Sequence, residues 1–383
     1  MSVQIKVKKI TALLFFLLLP CFKPTYFTSI NIINKLYTIM MIISFITILF
    51  LYFIKRQKIS KMSFLFITFE FWIILNTYFQ GGDIKESIRN SINILIIILV
   101  LDFYSNNIKY IVNVLMVHFE ICIYINLATM IIWPNGMYSQ ISDAYGITEE
   151  WFLGWDNNFI IWLFPAVCIA ILFAIYNKKK IRSQILIYSI IFTILYSWVA
   201  TAAVGVFAII LLMKLPCIEK IFTPVISFTC AFTIFILIVV VQNFDFLSPI
   251  IEGILHKDMT FNSRIGIWNN AMIAIKNRWL MGYGVLSHND MINYLGWNTA
   301  THCHNHYLQI LFQGGVISFI NYLLIQVEAI KKLSINWKSP VAKVISYSIF
   351  AFNIMCITEP YNYALMYIVF ILAEHNKILS VYS

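Results

Sequence analysis

The densest set of reactive side chains lies between Asn298 and Gly315, where Asn298, Thr299, Thr301, His302, His304, Asn305, His306 and Gln309 crowd together. Three of the seven histidines occupy alternate positions here. Imidazole titrates near neutral pH, which suits it to proton transfer, and it is also a common metal ligand. On a helix, however, only His302 and His306 would share a face, and no carboxylate follows at ligand spacing. No metal is therefore expected. The bland alternative is an interfacial loop with solvated imidazoles. Arg264 is the second candidate, because a guanidinium keeps its charge and grips phosphate bidentately. Its bland reading is an arginine snorkelling from a membrane-surface helix. Arg89, following Asp83 and Glu86, has the same two readings, with the bland one slightly favoured. No Gly-rich phosphate loop, Ser–His–Asp order or nucleotide motif is present, so nothing supports an ATP-driven mechanism.

The elements that must carry these residues are set by composition. The chain has 383 residues, 61% hydrophobic and 11% charged, with a mean hydropathy of +0.82. So few charges cannot cover a water-exposed surface, so most of the surface must face lipid. Aromatics reach 16%, with 32 Phe, which suits lipid-facing walls and interfacial belts. The net charge of +10 does not indicate nucleic-acid binding. The basic residues form short clusters between apolar runs: Lys6/Lys8/Lys9, Lys55/Arg56/Lys58/Lys61, Lys178–Lys180 with Arg182, and Lys331/Lys332/Lys338. That distribution is the positive-inside pattern. Cysteines 21, 122, 168, 217, 230, 303 and 356 lie mostly in or beside apolar runs without paired spacing, so no disulfide framework is expected. The basic amino end with Ile10–Leu19 resembles a signal peptide but leads straight into further spans, so it reads as the first transmembrane helix.

An all-α, polytopic helix bundle of about twelve spans is expected, with approximate cores at 10–27, 32–54, 63–79, 91–104, 110–133, 159–176, 185–198, 201–213, 221–241, 307–327, 341–357 and 362–374. The break at Trp198–Thr201 is the least defined, and a re-entrant pair is the alternative there. With the amino terminus inside, most Lys and Arg fall on the inner side, while Asp83, Asp143, Glu149, Glu150, Asp156, Asp245, Glu252, Asp258 and Asp290 fall outside. Both termini are then cytoplasmic in the inner membrane. The whole chain, 1–383, reads as one membrane domain. Pro134–Asn158 is a polar, turn-rich outer loop, and 243–303 is a much longer one. Within the latter, Ser263 is placed to cap a surface helix from Arg264 to about Leu280, with Ile265, Trp268, Met272, Ile275 and Trp279 as its apolar face. Gly282-Tyr283-Gly284 is expected to end it. Glu70, His118, Glu120 and Asn126 fall inside spans, where polar groups are a functional hypothesis by default. Pairing with neighbouring helices is the alternative.

Ser263-Arg264-Ile265-Gly266-Ile267-Trp268, Gly282-Tyr283-Gly284, and His304-Asn305-His306-Tyr307-Leu308-Gln309 with Gly315 together resemble the signature region of the O-antigen ligase and polymerase superfamily, here spanning 263–318. Pro134-Asn135-Gly136 and Trp151-Phe152-Leu153-Gly154 with Asn157 resemble segments of its capsular and exopolysaccharide polymerases. Two positions depart from the pattern. Ser318 stands where many relatives have a second glycine, and Trp198–Ala203 lacks the arginine that many place after a serine.

The resemblance implies a C-type glycosyltransferase-like bundle acting on a glycan carried by undecaprenyl pyrophosphate, alongside a flippase and a chain-length regulator, with no organic cofactor. In such a transfer a sugar hydroxyl attacks the anomeric carbon and pyrophosphate leaves. The leaving group is already a stable anion, so no general acid is needed, unlike glycoside hydrolysis. Fixed positive charge and a base are needed. Arg264 and His304 are the expected catalytic residues. Arg89, Asn305, His302, His306 and Asn157 are the expected substrate contacts, and Trp268 a lipid anchor more readily than a sugar platform. A polymerase is favoured over a ligase through the 134–158 segment. From another class, a secondary transporter or flippase would need an inward-facing cavity lined by Glu70 and Glu120.

Overall fold

The computed structural model describes residues 2–142, 146–215, 218–242, 264–298 and 300–377. Each expected span core overlaps a helix, those at 10–27 and 362–374 only in part: α1 (Ser2–Leu18), α2 (Asn31–Lys55), α3 (Lys61–Gln80), α4 (Ile84–Phe103), α5 (Ile108–Ile132), α6 (Ile160–Asn177), α7 (Lys180–Ser197), α8 (Ala200–Lys214), α9 (Pro224–Phe235, continued by a π-turn to Val241), α12 (His306–Ile335), α13 (Pro340–Met355) and α14 (Ile368–Glu374). Among the described residues, length and apolarity alone qualify six segments as able to cross a membrane: 31–55, 61–80, 105–132, 156–177, 224–241 and 306–335. The other helices are shorter or more polar. The loop after α9 contributes α10 (Arg264–Asn277) and α11 (His288–Leu295).

Helix ends follow local chemistry. Ser60, Asp83, Thr223, Ser287 and Ser339 each accept a hydrogen bond from a backbone N–H in the first turn of the next helix. Trp198 takes a left-handed conformation (φ 48°) and ends α7, so the 185–213 segment is two separate helices. Ser263, the expected cap of α10, lies outside the described residues.

The bundle is helical, as expected, and its loops add one short hairpin. Within Pro134–Asn158, β1 (Tyr138–Ser142) and β2 (Gly146–Glu150) pair antiparallel, with Tyr138 opposite Glu150. Turn-rich polar sequence concealed the hairpin because few of its side chains are apolar. Its base is tied to the bundle by Trp151 Nε1–H to the Trp133 carbonyl (2.7 Å) and by Leu153 N–H to Asn126 Oδ1 (2.9 Å).

The mid-bundle polar residues are similarly engaged. Glu70 accepts from Ser91 (2.7 Å), Glu120 pairs with Arg182, and His118 is stacked between Phe15 and Phe22. Their partners lie within the protein, as expected of groups that knit helices together.

The feature that shapes the loop-rich end is a break in α12. Gly315 has φ 62° and ψ −164°, which interrupts the helical ladder. An interrupted helix leaves carbonyls and amides that must find other partners in an apolar setting. The chain after α10 supplies them. Tyr283 and Gly284 donate N–H to the carbonyls of Phe312 (2.7 Å) and Gln313 (2.8 Å), and Val316 N–H reaches the Trp279 carbonyl (2.9 Å). From α3, Trp72 donates to Gly314 O (2.9 Å), while the Asn76 amide bridges Met281 O and Gln313 O (2.6 and 2.7 Å). The approach is so close that a Cβ at Gly315 would sit 2.1 Å from Leu280 O, and one at Gly282 2.5 Å from Phe312 O. Gly282-Tyr283-Gly284 therefore does not end α10, which stops at Asn277, but fills the break in α12.

Ser318 completes this arrangement. It is fully buried, with its Oγ only 1.8 Å from where a Cβ on Gly314 would be. Gly314 makes room for the serine. Gly314→Ala is expected to lower the thermal midpoint of the purified protein by several degrees, about 1–3 kcal/mol for overpacking. Adding Ser318→Gly should recover most of that loss. A double variant no more stable than Gly314→Ala alone would show that the two side chains do not compete for the same space.

Candidate active site

Two connections at the loop-rich end are laced together: residues 302–309, entering α12, and 356–361, leaving α13. Asn305 caps α12, its Oδ1 accepting from Leu308 N–H (2.8 Å), while its Nδ2 donates to the Ile357 carbonyl (2.8 Å). His306 N–H donates to Cys356 O (2.8 Å), and the His306 ring accepts from Tyr361 N–H through Nδ1 (3.2 Å). Gln309 reaches back to Cys303 N–H (2.8 Å). This lacing carries Glu359, in the short turn between α13 and α14, against His304.

The result is a four-residue cluster around one carboxylate. Glu359 Oε1 lies 3.2 Å from His304 Nδ1 and accepts a hydrogen bond from the Arg264 guanidinium. Its Oε2 lies 3.7 Å from His302 Nε2. His304 itself has φ 46°, unusual for a residue with a side chain and a mark of functional sites when the surroundings enforce it. Here the surroundings do. The His304 carbonyl accepts from the indole of Trp268 (3.2 Å), and its N–H donates to His302 Nδ1 (3.2 Å).

The electrostatics follow from this packing. Burial would raise the Glu359 carboxyl, but the His304 hydrogen bond and the Arg264 charge outweigh it and bring the group down to about 2. His302 is pushed down to about 4, chiefly by burial and then by the neighbouring His304. Glu359 thus stays ionised at neutral pH, and His302 stays neutral.

Of the residues expected from sequence, Arg264, His304 and His302 come together. Asn305 and His306 lie beside them but are fully buried and committed to backbone contacts, so they build the site rather than face a substrate. Arg89 is exposed on α4 and paired with Glu86, one turn away. Asn157 is exposed at the foot of the hairpin, its backbone N–H on Asp156 Oδ1 (2.7 Å). Trp268 is neither lipid anchor nor sugar platform: it is fully buried beneath His304. The buried face of α10 is Ile267, Trp268, Ala271 and Ala274, not the wider stripe expected, because α10 packs against α12 instead of lying on lipid alone. Glu359 was missed. Its only signal is a lone acid in Thr358-Glu359-Pro360, between two apolar runs.

With Glu359 in place, the metal question changes. His302, His304 and Glu359 offer ligand atoms within 4.8 Å of one another, a set that spacing along the chain could not reveal. The same carboxylate already neutralises Arg264, and the guanidinium charge would repel a dication bound there.

Both shifted groups make acid destabilising. An unfolded His302 takes up its proton near 6.5 and the folded one near 4, so stability is lost as pH falls through that window. Glu359 favours the folded state above its ordinary 4.5, and that contribution is lost as pH falls toward about 2. The thermal midpoint should therefore decline from about pH 6.5 to pH 4, and His302→Gln should flatten this decline. An equally steep decline in that variant would exclude His302 as its source.

Comparison with known families matches residues 157–323 to the O-antigen ligase family model. No curated protein matches the chain. The matched segment carries Arg264, His302, His304 and the broken helix of α12, while Glu359 lies beyond it. This segment, which gathers the signature residues at one site, is similar to the O-antigen ligase family.

Proposed function

We propose that this membrane protein is a polysaccharide polymerase, joining oligosaccharide repeat units carried on undecaprenyl pyrophosphate at the outer face of the cytoplasmic membrane. The single observation that supports it most is the Glu359 carboxylate held between His304 and Arg264. Family members are membrane enzymes of the glycosyltransferase type, and the cluster has the two components such a transfer requires.

His304 is the base. Its Nδ1–H points at Glu359, which leaves Nε2 as the basic nitrogen for the incoming sugar hydroxyl. Glu359, held near 2, is too weak a base for that task and serves to fix the ring and stabilise the imidazolium that forms. Arg264 uses one edge of its guanidinium on Glu359. Its remaining donors make no other hydrogen bond among the described residues, and in this reading they hold the departing diphosphate. Energy comes from the glycosyl–pyrophosphate bond, and neither metal nor organic cofactor is invoked.

The outward orientation is supported by charge. Lys55/Arg56/Lys58/Lys61, Lys178–Lys180 and Lys331/Lys332/Lys338 all sit at the end of the bundle opposite the cluster, as the positive-inside pattern requires of the cytoplasmic side. Both termini are then cytoplasmic.

The description of the matched family favours a second reading, a ligase that moves the finished glycan to a surface acceptor. Deletion separates the two. Loss of a polymerase leaves single repeat units on the surface, whereas loss of a ligase strands polymer on its lipid carrier.

His304→Ala and Arg264→Ala are each expected to abolish long-chain polysaccharide, with a drop in rate of about 100-fold or more and normal protein levels. Glu359→Gln should fall in the same range. Chain lengths unchanged in either of the first two variants would remove that residue from the mechanism.

A further inference from the structure

Beside the catalytic cluster is a cavity of about 290 Å³ that the mechanism above does not use. Its walls include Asn90, Asn93, Asn158 and Asn362, with Trp162, Tyr363 and Lys23. Asn362 and Tyr363 follow Glu359 by three and four residues, so the turn that presents the carboxylate also forms one wall.

The chemistry of this lining is specific. Four primary amides offer both donors and acceptors, as a polyol needs, while an aromatic ring suits the apolar face of a pyranose. The protein uses part of this capacity, since Asn90 Nδ2 donates to Glu86 (3.0 Å) and Asn362 Oδ1 accepts from the Tyr367 hydroxyl (3.1 Å). Asn93 Oδ1 is buried without a hydrogen-bond partner among the described residues, although such groups are normally paired. Lys23 is half-buried, and its hydrogen bond among the described residues is to the neutral Asn34 amide (2.9 Å), with no carboxylate at ion-pair distance. A partly buried cation without a counter-charge favours an anionic occupant.

We propose that this cavity is a saccharide subsite whose occupant is an acidic sugar, its hydroxyls held by Asn93 and the other amides and its carboxylate by Lys23. Given the transferase reading, on which this rests, the sugar belongs to the glycan being extended, and the polysaccharide contains a uronic acid or a comparable acidic residue.

The test is saturation-transfer NMR on the full-length protein in nanodiscs with methyl glucuronide, methyl glucoside and inorganic pyrophosphate as probes. The glucuronide should bind about tenfold more tightly than the glucoside, the increment of one charge-assisted hydrogen bond. Lys23→Met should bring the two sugars to equal affinity, Lys23→Arg should keep the preference, and Asn93→Leu should weaken both. Equal binding of the two sugars to the native protein, or a preference that survives Lys23→Met, would overturn the assignment. So would displacement of the glucuronide by pyrophosphate, which would place the carrier's diphosphate here instead. His304→Ala should leave sugar binding intact while abolishing chain growth. A failure of binding alone therefore sinks the subsite, and persistence of chain growth alone sinks the catalytic reading.

Discussion

Everything at the loop-rich end depends on one carboxylate. Among the described residues, Glu359 is the group that touches Arg264, His304 and His302 at once. A buried carboxylate alone would protonate, and a buried imidazole alone would stay neutral in an arbitrary tautomer. Together they form a fixed dipole with a charged guanidinium at one end and a proton acceptor at the other. Such preorganised charge is effective in catalysis because it need not reorganise as the reaction proceeds.

The cluster is held by backbone that has left regular structure. In an apolar bundle this is tolerated only where the freed carbonyls and amides are paired. The break at Gly315 meets that requirement through the 279–284 segment and the side chains of Trp72 and Asn76. Asn305 meets it at the entrance to α12 by capping one helix and bonding the turn after another. Two residues with strong polar side chains, Asn305 and His306, thus act as joints. The chemistry is left to their neighbours: Arg264 and Glu359, which keep some exposure, and His304, whose side chain is 10% exposed.

Much of this was legible in the chain itself. Apolar runs located the helices of the bundle, the α7–α8 break was placed only to within Trp198–Thr201, and the His304-Asn305-His306 segment pointed to the candidate site. What could not be read is of two kinds. Glu359 lies 55 residues from His304, and no periodicity links positions brought together only by the packing of α12 against α13. The roles of Trp268, Gly282 and Ser318 depend on which backbone passes beside them, and composition cannot report that. Trp268 looked like a lipid anchor because aromatic residues at an interface usually are, yet its indole N–H was needed beneath a strained histidine. The hairpin at 138–150 escaped for a related reason, since its strands are polar and exposed.

The state of the His304 ring tests the central claim most directly. Nitrogen-15 chemical shifts from histidine-labelled protein in nanodiscs, with His304→Gln used to assign the ring, report which nitrogen carries the proton. At neutral pH the proton is expected on Nδ1, facing Glu359, and this preference should disappear in Glu359→Gln. A proton found on Nε2, or an Nδ1 signal indifferent to the loss of the carboxylate, would contradict the assignment of His304 as the base.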